Sequence, residues 1–189
     1  TRATIAKEKG LEPLADIILG QELTKGSLEA VASPFINGEK EVDTIEDAIA
    51  GAMDIIAEGI SDNAEYRKVI RDIFVREGSI VTKAKKEEDS VYRMYYDFRE
   101  PVSKIAKHRI LAINRGEKED FIQVKIEVPE EKIIQWLKSR VITNRASITS
   151  KYVEMAAEDS YKRLISSSIE NEVRNDLTQA AQEQAIRVF

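Results

Sequence analysis

The sequence predicts a mainly helical α+β protein with one β-hairpin: an N-terminal helical lobe, then a hairpin region and a long C-terminal helix or helix pair. Three observations predict it. Apolar residues recur every three or four positions through residues 44–74 and again beyond Ser147. Strict apolar–polar alternation is confined to a short stretch, residues 121–128. No glycine or proline interrupts residues 147–189, so nothing local stops a helix there.

The elements follow in order. Residues 2–9 read as a helix closed by Gly10, which suits a left-handed cap because it has no Cβ. Pro13, followed by Leu14, Ile17 and Ile18, starts a second helix that stops at Gly20. Ser27 caps a short turn carrying Leu28 and Val31, which Pro34 interrupts. Asp43 and Glu46 stand at capping-box spacing, and Ile45, Ile49, Ala52 and Ile56 make one apolar stripe over residues 44–60. Ser61 and Asp62 then cap a helix bearing Tyr66, Val69, Ile70, Ile73 and Phe74, ended by Gly78. So short a connection predicts an antiparallel pair.

The run KAKKEED at 83–89 is almost wholly charged and reads as an exposed helix end or connector. It suggests a division into residues 1–88 and 89–189. Beyond Pro101, residues 109–114 (RILAIN) and 121–128 (FIQVKIEV) read as the two strands of the hairpin, with RGEKED turning between them. A lone hairpin is marginal in water, so helices must cover its apolar face. Pro129 opens such a helix, with Ile133, Ile134, Trp136, Leu137 and Val141 behind it and Trp136 expected in the core. From Ser147 the apolar positions Tyr152, Met155, Ala156, Ile169, Val173, Leu177, Ala180 and Val188 predict about 40 residues of helix. Three serines at 166–168 weaken its middle, leaving one helix or two both open. An apolar pattern still running at Phe189 leads to the expectation of a piece of a longer protein.

Composition narrows function. The chain has no cysteine, which excludes disulfides, thiolate catalysis and cysteine zinc sites. No run of about 18 apolar residues is present, so no membrane partner is expected. A reducing cytoplasm fits this composition. A net charge of −5 disfavours a dedicated nucleic-acid module, although a local basic patch is compatible with it.

The nearest approach to a reactive cluster is Tyr95, Tyr96, Asp97, Glu100 and His108, but Pro101 prevents one helix from aligning them and the spacing matches no ligand geometry. No GxSxG elbow and no GxxxxGK[ST] loop occurs. Catalytic residues, metal ligands and cofactors are therefore expected to be none. Lys104, Lys107, Arg109 and Arg115 bracket residues 109–114 and are the candidate nucleic-acid contacts. The competing reading is a solvated rim with ion pairs to Glu117, Glu119 and Asp120.

Three segments, TRATIAKEKGLEPLADIIL, DAIAGAMDIIAEGISD and YYDFREPVSKIAKHRILAINRGEKE, resemble the Tex family of bacterial transcriptional accessory proteins. The resemblance runs along essentially the whole chain, and the third segment is its most specific part. It implies the N-terminal helical region that precedes an RNase-H-like YqgF domain, with helix-hairpin-helix elements and an OB-fold RNA-binding domain further on. It also implies a non-catalytic scaffold in transcription or its regulation, meeting RNA or DNA mainly through domains outside this chain. A module that docks transcription machinery without touching nucleic acid is the alternative.

Overall fold

The structure is a computed structural model that describes residues 1–188. The elements are α1 (Arg2–Glu8), α2 (Glu12–Gly20), α3 (Leu28–Ala32), α4 (Ile45–Ser61), α5 (Ala64–Glu77), β1 (Ser79–Ala84), β2 (Asp97–Pro101), α6 (Lys107–Lys118), β3 (Ile122–Glu127), α7 (Glu130–Val141), α8 (Ser150–Asp159), a π-helical segment (Ser160–Ile165) and α9 (Ser166–Val188). The mainly helical α+β class read from the sequence holds. Two compact units form. One comprises Thr1–Arg67 and Glu131–Ile165; the other comprises Lys68–Glu130 and the chain from Ser166 onward, so residue 88 lies inside the second.

In the first unit α4 is central, with α1, α2 and α8 packed on it. Ala48, Ala52 and Ile56 are buried along its stripe. Small residues let the neighbours come close: a Cβ on Gly51 would stand 2.4 Å from Leu11 Cδ1. α3 and the π segment also pack against α4. The caps shift by a residue or two. Thr44, not Asp43, caps α4 by accepting a bond from Asp47 N at 3.0 Å. Ser61 completes α4, so Asn63 caps α5, accepting from Tyr66 N at 2.9 Å.

Gly10 takes its left-handed turn at φ +78° as expected. At the end of α2 the left-handed residue is Gln21 (φ 53°), one position beyond the predicted Gly20. Its side chain is 2% exposed and works as a connector. Nε2 donates to Val141 O at 2.9 Å and Leu19 O at 3.2 Å, and Oε1 accepts from Thr143 N at 3.0 Å. One amide thus satisfies polar groups at the ends of both α2 and α7. Trp136 is half-buried and not a core residue: its ring meets the Tyr66 ring edge-on with centroids 6.0 Å apart, and the Arg140 guanidinium lies 5.6 Å from its centroid.

The second unit holds a three-stranded antiparallel sheet in the order β2-β1-β3. Ile80 faces Glu100 on one side and Ile126 on the other, and Thr82 faces Phe98 and Val124. Ile80, Ile122 and Ile126 are buried on one face of the sheet. The other face carries the pairs Lys83–Asp97 and Arg99–Glu127. The strand expected at 109–114 is a correction: those residues lie within α6, and the central partner of β3 is β1. Ile110, Ile113 and Gly116 recur every third residue and are buried, while Arg, Leu, Ala and Lys around them favour helix. The β-branched run Ile80-Val81-Thr82 is the better strand signal. The charged run at 83–89 ends β1 at Ala84 and continues as the exposed connector.

From Ser150 to Val188 the chain is helical throughout, so the two alternatives resolve to one run with an irregularity. That irregularity is the π segment, immediately ahead of the serines, where Ser160 Oγ donates to Ala57 O at 2.6 Å. Val153, Ala157, Tyr161, Ile165, Ile169, Val173 and Ala181 are buried. Met155, expected inside, is 54% exposed, so the apolar register differs from the predicted one in α8. The Val188 side chain and Phe189 lie outside the described residues.

Candidate nucleic-acid interface

The four candidate cations are placed by the second unit. Lys104 sits in the turn after β2, and Lys107, Arg109 and Arg115 all lie on α6. On a strand, the odd-numbered Lys107, Arg109 and Arg115 would share a face. On a helix, two positions are about 200° apart, so Arg109 points away from Lys107. Arg109 lies 3.8 Å from Glu100 Oε2 and 5.5 Å from the Phe98 ring centroid, and is half-buried there.

Lys107, Arg115 and the additional Lys118 fall on one face of α6, with Leu111 between them at spacings of four, four and three. Lys118 was hidden by the strand reading, and a helical reading of the same residues exposes it. All three cations are exposed, as is Lys104. Among the described residues none of these four forms an ion pair.

Two of the three acidic neighbours expected to neutralise this rim, Glu117 and Asp120, are engaged elsewhere, and Glu119 is exposed at the end of α6, four residues after Arg115. Glu117 accepts from Arg174 Nη1 at 2.9 Å, and Arg174 Nη2 donates to Asn114 Oδ1 at 2.8 Å. Asn114 Nδ2 in turn donates to Thr178 Oγ1 at 2.8 Å, which completes a polar seam between α6 and α9. Asp120 pairs with Lys85 Nζ at 2.8 Å, and that bond holds its carboxyl below the ordinary aspartate range. The exposed cations of α6 therefore have no carboxylate within ion-pair distance among the described residues.

The five residues of the possible reactive cluster are scattered by the same fold. Tyr95 is buried with its ring edge-on to Phe98 at 5.2 Å. The Tyr96 hydroxyl donates to Glu88 O at 2.6 Å. Asp97 and Glu100, an odd number of residues apart on β2, project from opposite faces of the sheet. Asp97 bonds Lys83, which lowers its pKa, whereas His108 is exposed at the start of α6. Among the described residues no group of three or more His, Cys, Asp or Glu side chains is arranged to hold a metal ion, and no helix is long and apolar enough to cross a membrane.

Fold and surface together define a mainly helical α+β segment with a small sheet and a basic helical face. Comparison with known proteins identifies it further. A family model described as Tex central region-like matches residues 25–189, so the chain belongs to the Tex family as its central region. It is 48% identical across its whole length to the uncharacterized protein YdcI of Bacillus subtilis, of which it covers 27%. Across the whole chain it is 31% identical to the transcriptional accessory protein Tex of Neisseria gonorrhoeae and 29% to the protein tex of Bordetella pertussis, covering 26% of each. The chain thus spans about a quarter of the length of these relatives.

Proposed function

We propose that this central region is a non-catalytic frame within a cytoplasmic transcription accessory protein, holding nucleic-acid-binding parts in place and adding phosphate contacts of its own through α6. The observation that carries the contact reading is the unpaired face of Lys107, Arg115 and Lys118, with Lys104 beside it. Cations so spaced meet successive phosphates and carry no base readout. The names of the relatives support the setting. Two are transcriptional accessory or Tex proteins, and a human relative, 26% identical over the whole chain, is an S1 RNA-binding domain-containing protein. Arg109, held by Glu100, positions the start of α6 and takes no part in binding.

A salt titration of the 189-residue chain against labelled single-stranded RNA, single-stranded DNA and duplex DNA tests this. Three or four phosphate contacts give a slope of about −2 to −3 in log K against log salt on single strands. Reversing Lys107, Arg115 and Lys118 to Glu abolishes binding, whereas Arg109→Gln changes it by less than about twofold. Absence of binding by the wild-type chain at about 20 mM salt refutes the contact reading.

A further inference from the structure

Beside the basic face, the first turns of α6 and the last turns of α9 enclose a groove of about 600 Å3. Ile105, Ala106 and Leu111 line one side, and Ala181 and Ala185, one turn apart on α9, line the other. The exposed Lys107, His108 and Gln184 complete the lining. Among the described residues no carboxylate lines it, in a chain whose acidic residues outnumber its basic ones by 34 to 29.

We propose that this groove docks an acidic amphipathic helix from a partner protein. It is of the size that takes a few apolar anchors, about 300 to 1,000 Å3. Alanines at 181 and 185 keep one wall low, so an incoming helix can lay apolar residues at i, i+3, i+4 and i+7 between α9 and Leu111. Carboxylates flanking those anchors meet the Lys107 ammonium, with Lys104 exposed three residues earlier, and can accept a hydrogen bond from the His108 ring. The absence of acidic lining makes the charge match one-sided: a basic helix finds no counter-charge there. Nucleic acid fits the groove less well than it fits the neighbouring basic face. Among the described residues the floor, Ile105, Ala106, Leu111, Ala181 and Ala185, is wholly aliphatic, and a sugar–phosphate chain leaves it uncovered. The docking site shares Lys107 with the phosphate contacts, whereas Arg115 and Lys118 lie outside it.

The test uses the 189-residue chain and a fluorescein-labelled helical peptide of about 18 residues, with Leu at i, i+3, i+4 and i+7 and Glu at most other positions. A twin peptide carries Lys for Glu, and a single-stranded RNA oligonucleotide is the third probe. Anisotropy is expected to show saturable binding of the acidic peptide and at least about tenfold weaker binding of its twin. Ala185→Glu, which fills and acidifies the groove, weakens the acidic peptide at least about tenfold. If circular dichroism shows that this variant misfolds, the exposed Gln184→Glu supplies the same charge. The pair Arg115→Glu with Lys118→Glu, outside the groove, leaves peptide binding intact even where it removes RNA binding, which separates this proposal from the phosphate reading. Equal binding of both peptides, or no binding of the acidic one at about 1 mM, overturns it. So does a groove variant that loses RNA binding in a protein blind to the acidic peptide.

Discussion

Replacing Gln21 separates two opposing contributions at one residue. Gln21→Ala removes the amide that bonds Val141 O, Leu19 O and Thr143 N, and strands groups at the end of α7 in a place where the side chain was 2% exposed. Leaving two such groups without partners costs about 3 kcal/mol in total. Gln21→Gly removes the same bonds but also the Cβ from a left-handed backbone at φ 53°, which returns about 1 kcal/mol, so its net loss is about 2 kcal/mol. The expected order of stability is wild type, then glycine, then alanine. Urea unfolding followed by the fluorescence of Trp136, the single tryptophan, which lies on α7, reads this unit. With a slope of about 1.5 kcal/mol/M, the midpoint falls by about 2 M for alanine and somewhat less for glycine. Alanine equal to wild type, or glycine below alanine, would refute the account of this residue.

Other consequences are checked in the same way. Gly78→Ala brings a Cβ within 2.3 Å of Phe74 O, a backbone atom that cannot swing aside, and is expected to cost about 2 kcal/mol or more, measured by amide exchange in β1 and β3. Ile122→Ala, at a fully buried position in β3, costs about 3 kcal/mol, read from the same exchange. Glu158 bonds Lys162 and Lys138, which hold its pKa below the usual 4.5. Its contribution is therefore present above pH 4.5 and lost as pH falls through the lowered value, so Glu158→Gln differs from wild type at pH 7, less at high salt, and not at all in strong acid. Asp54 has the opposite sign. Burial raises its pKa in spite of Arg163, so the charged form is penalised at neutral pH, and Asp54→Asn gains stability at pH 7 that disappears on acidification. A fall in the pH 7 midpoint for that variant would show the Arg163 pairing to be the stronger effect.

The helices of the first unit were legible because caps, glycines and apolar stripes all act within one or two turns. The caps moved by a residue or two because Thr44 and Asn63 compete with equally good neighbours, and only the backbone decides which hydroxyl or amide reaches the free N–H. The sheet was half legible. Residues 121–128 alternate cleanly, yet their partner lies some forty positions earlier, and sequence proximity favoured the wrong segment. That error carried into the candidate site: the cations bracketing a strand at 109–114 left out Lys118, which shares a face of the helix with Lys107 and Arg115. The groove between α6 and α9 had no local signal, since its two walls are some seventy residues apart in the chain. In α8 the large Met155 is exposed while Val153 is buried beside Ala156 and Ala157, so side-chain size misleads where the packing neighbours are alanines.

The π turn at Ser160–Ile165 has a consequence for how this chain tolerates changes in length. Such a turn accommodates one residue more than the α-helix it interrupts, so deleting a single residue there restores ordinary helix. The same deletion in α9 turns every later side chain by about 100° and pulls Ala181 away from its burial. Homologous chains differing by one residue along this long helix are therefore expected to differ inside those six positions.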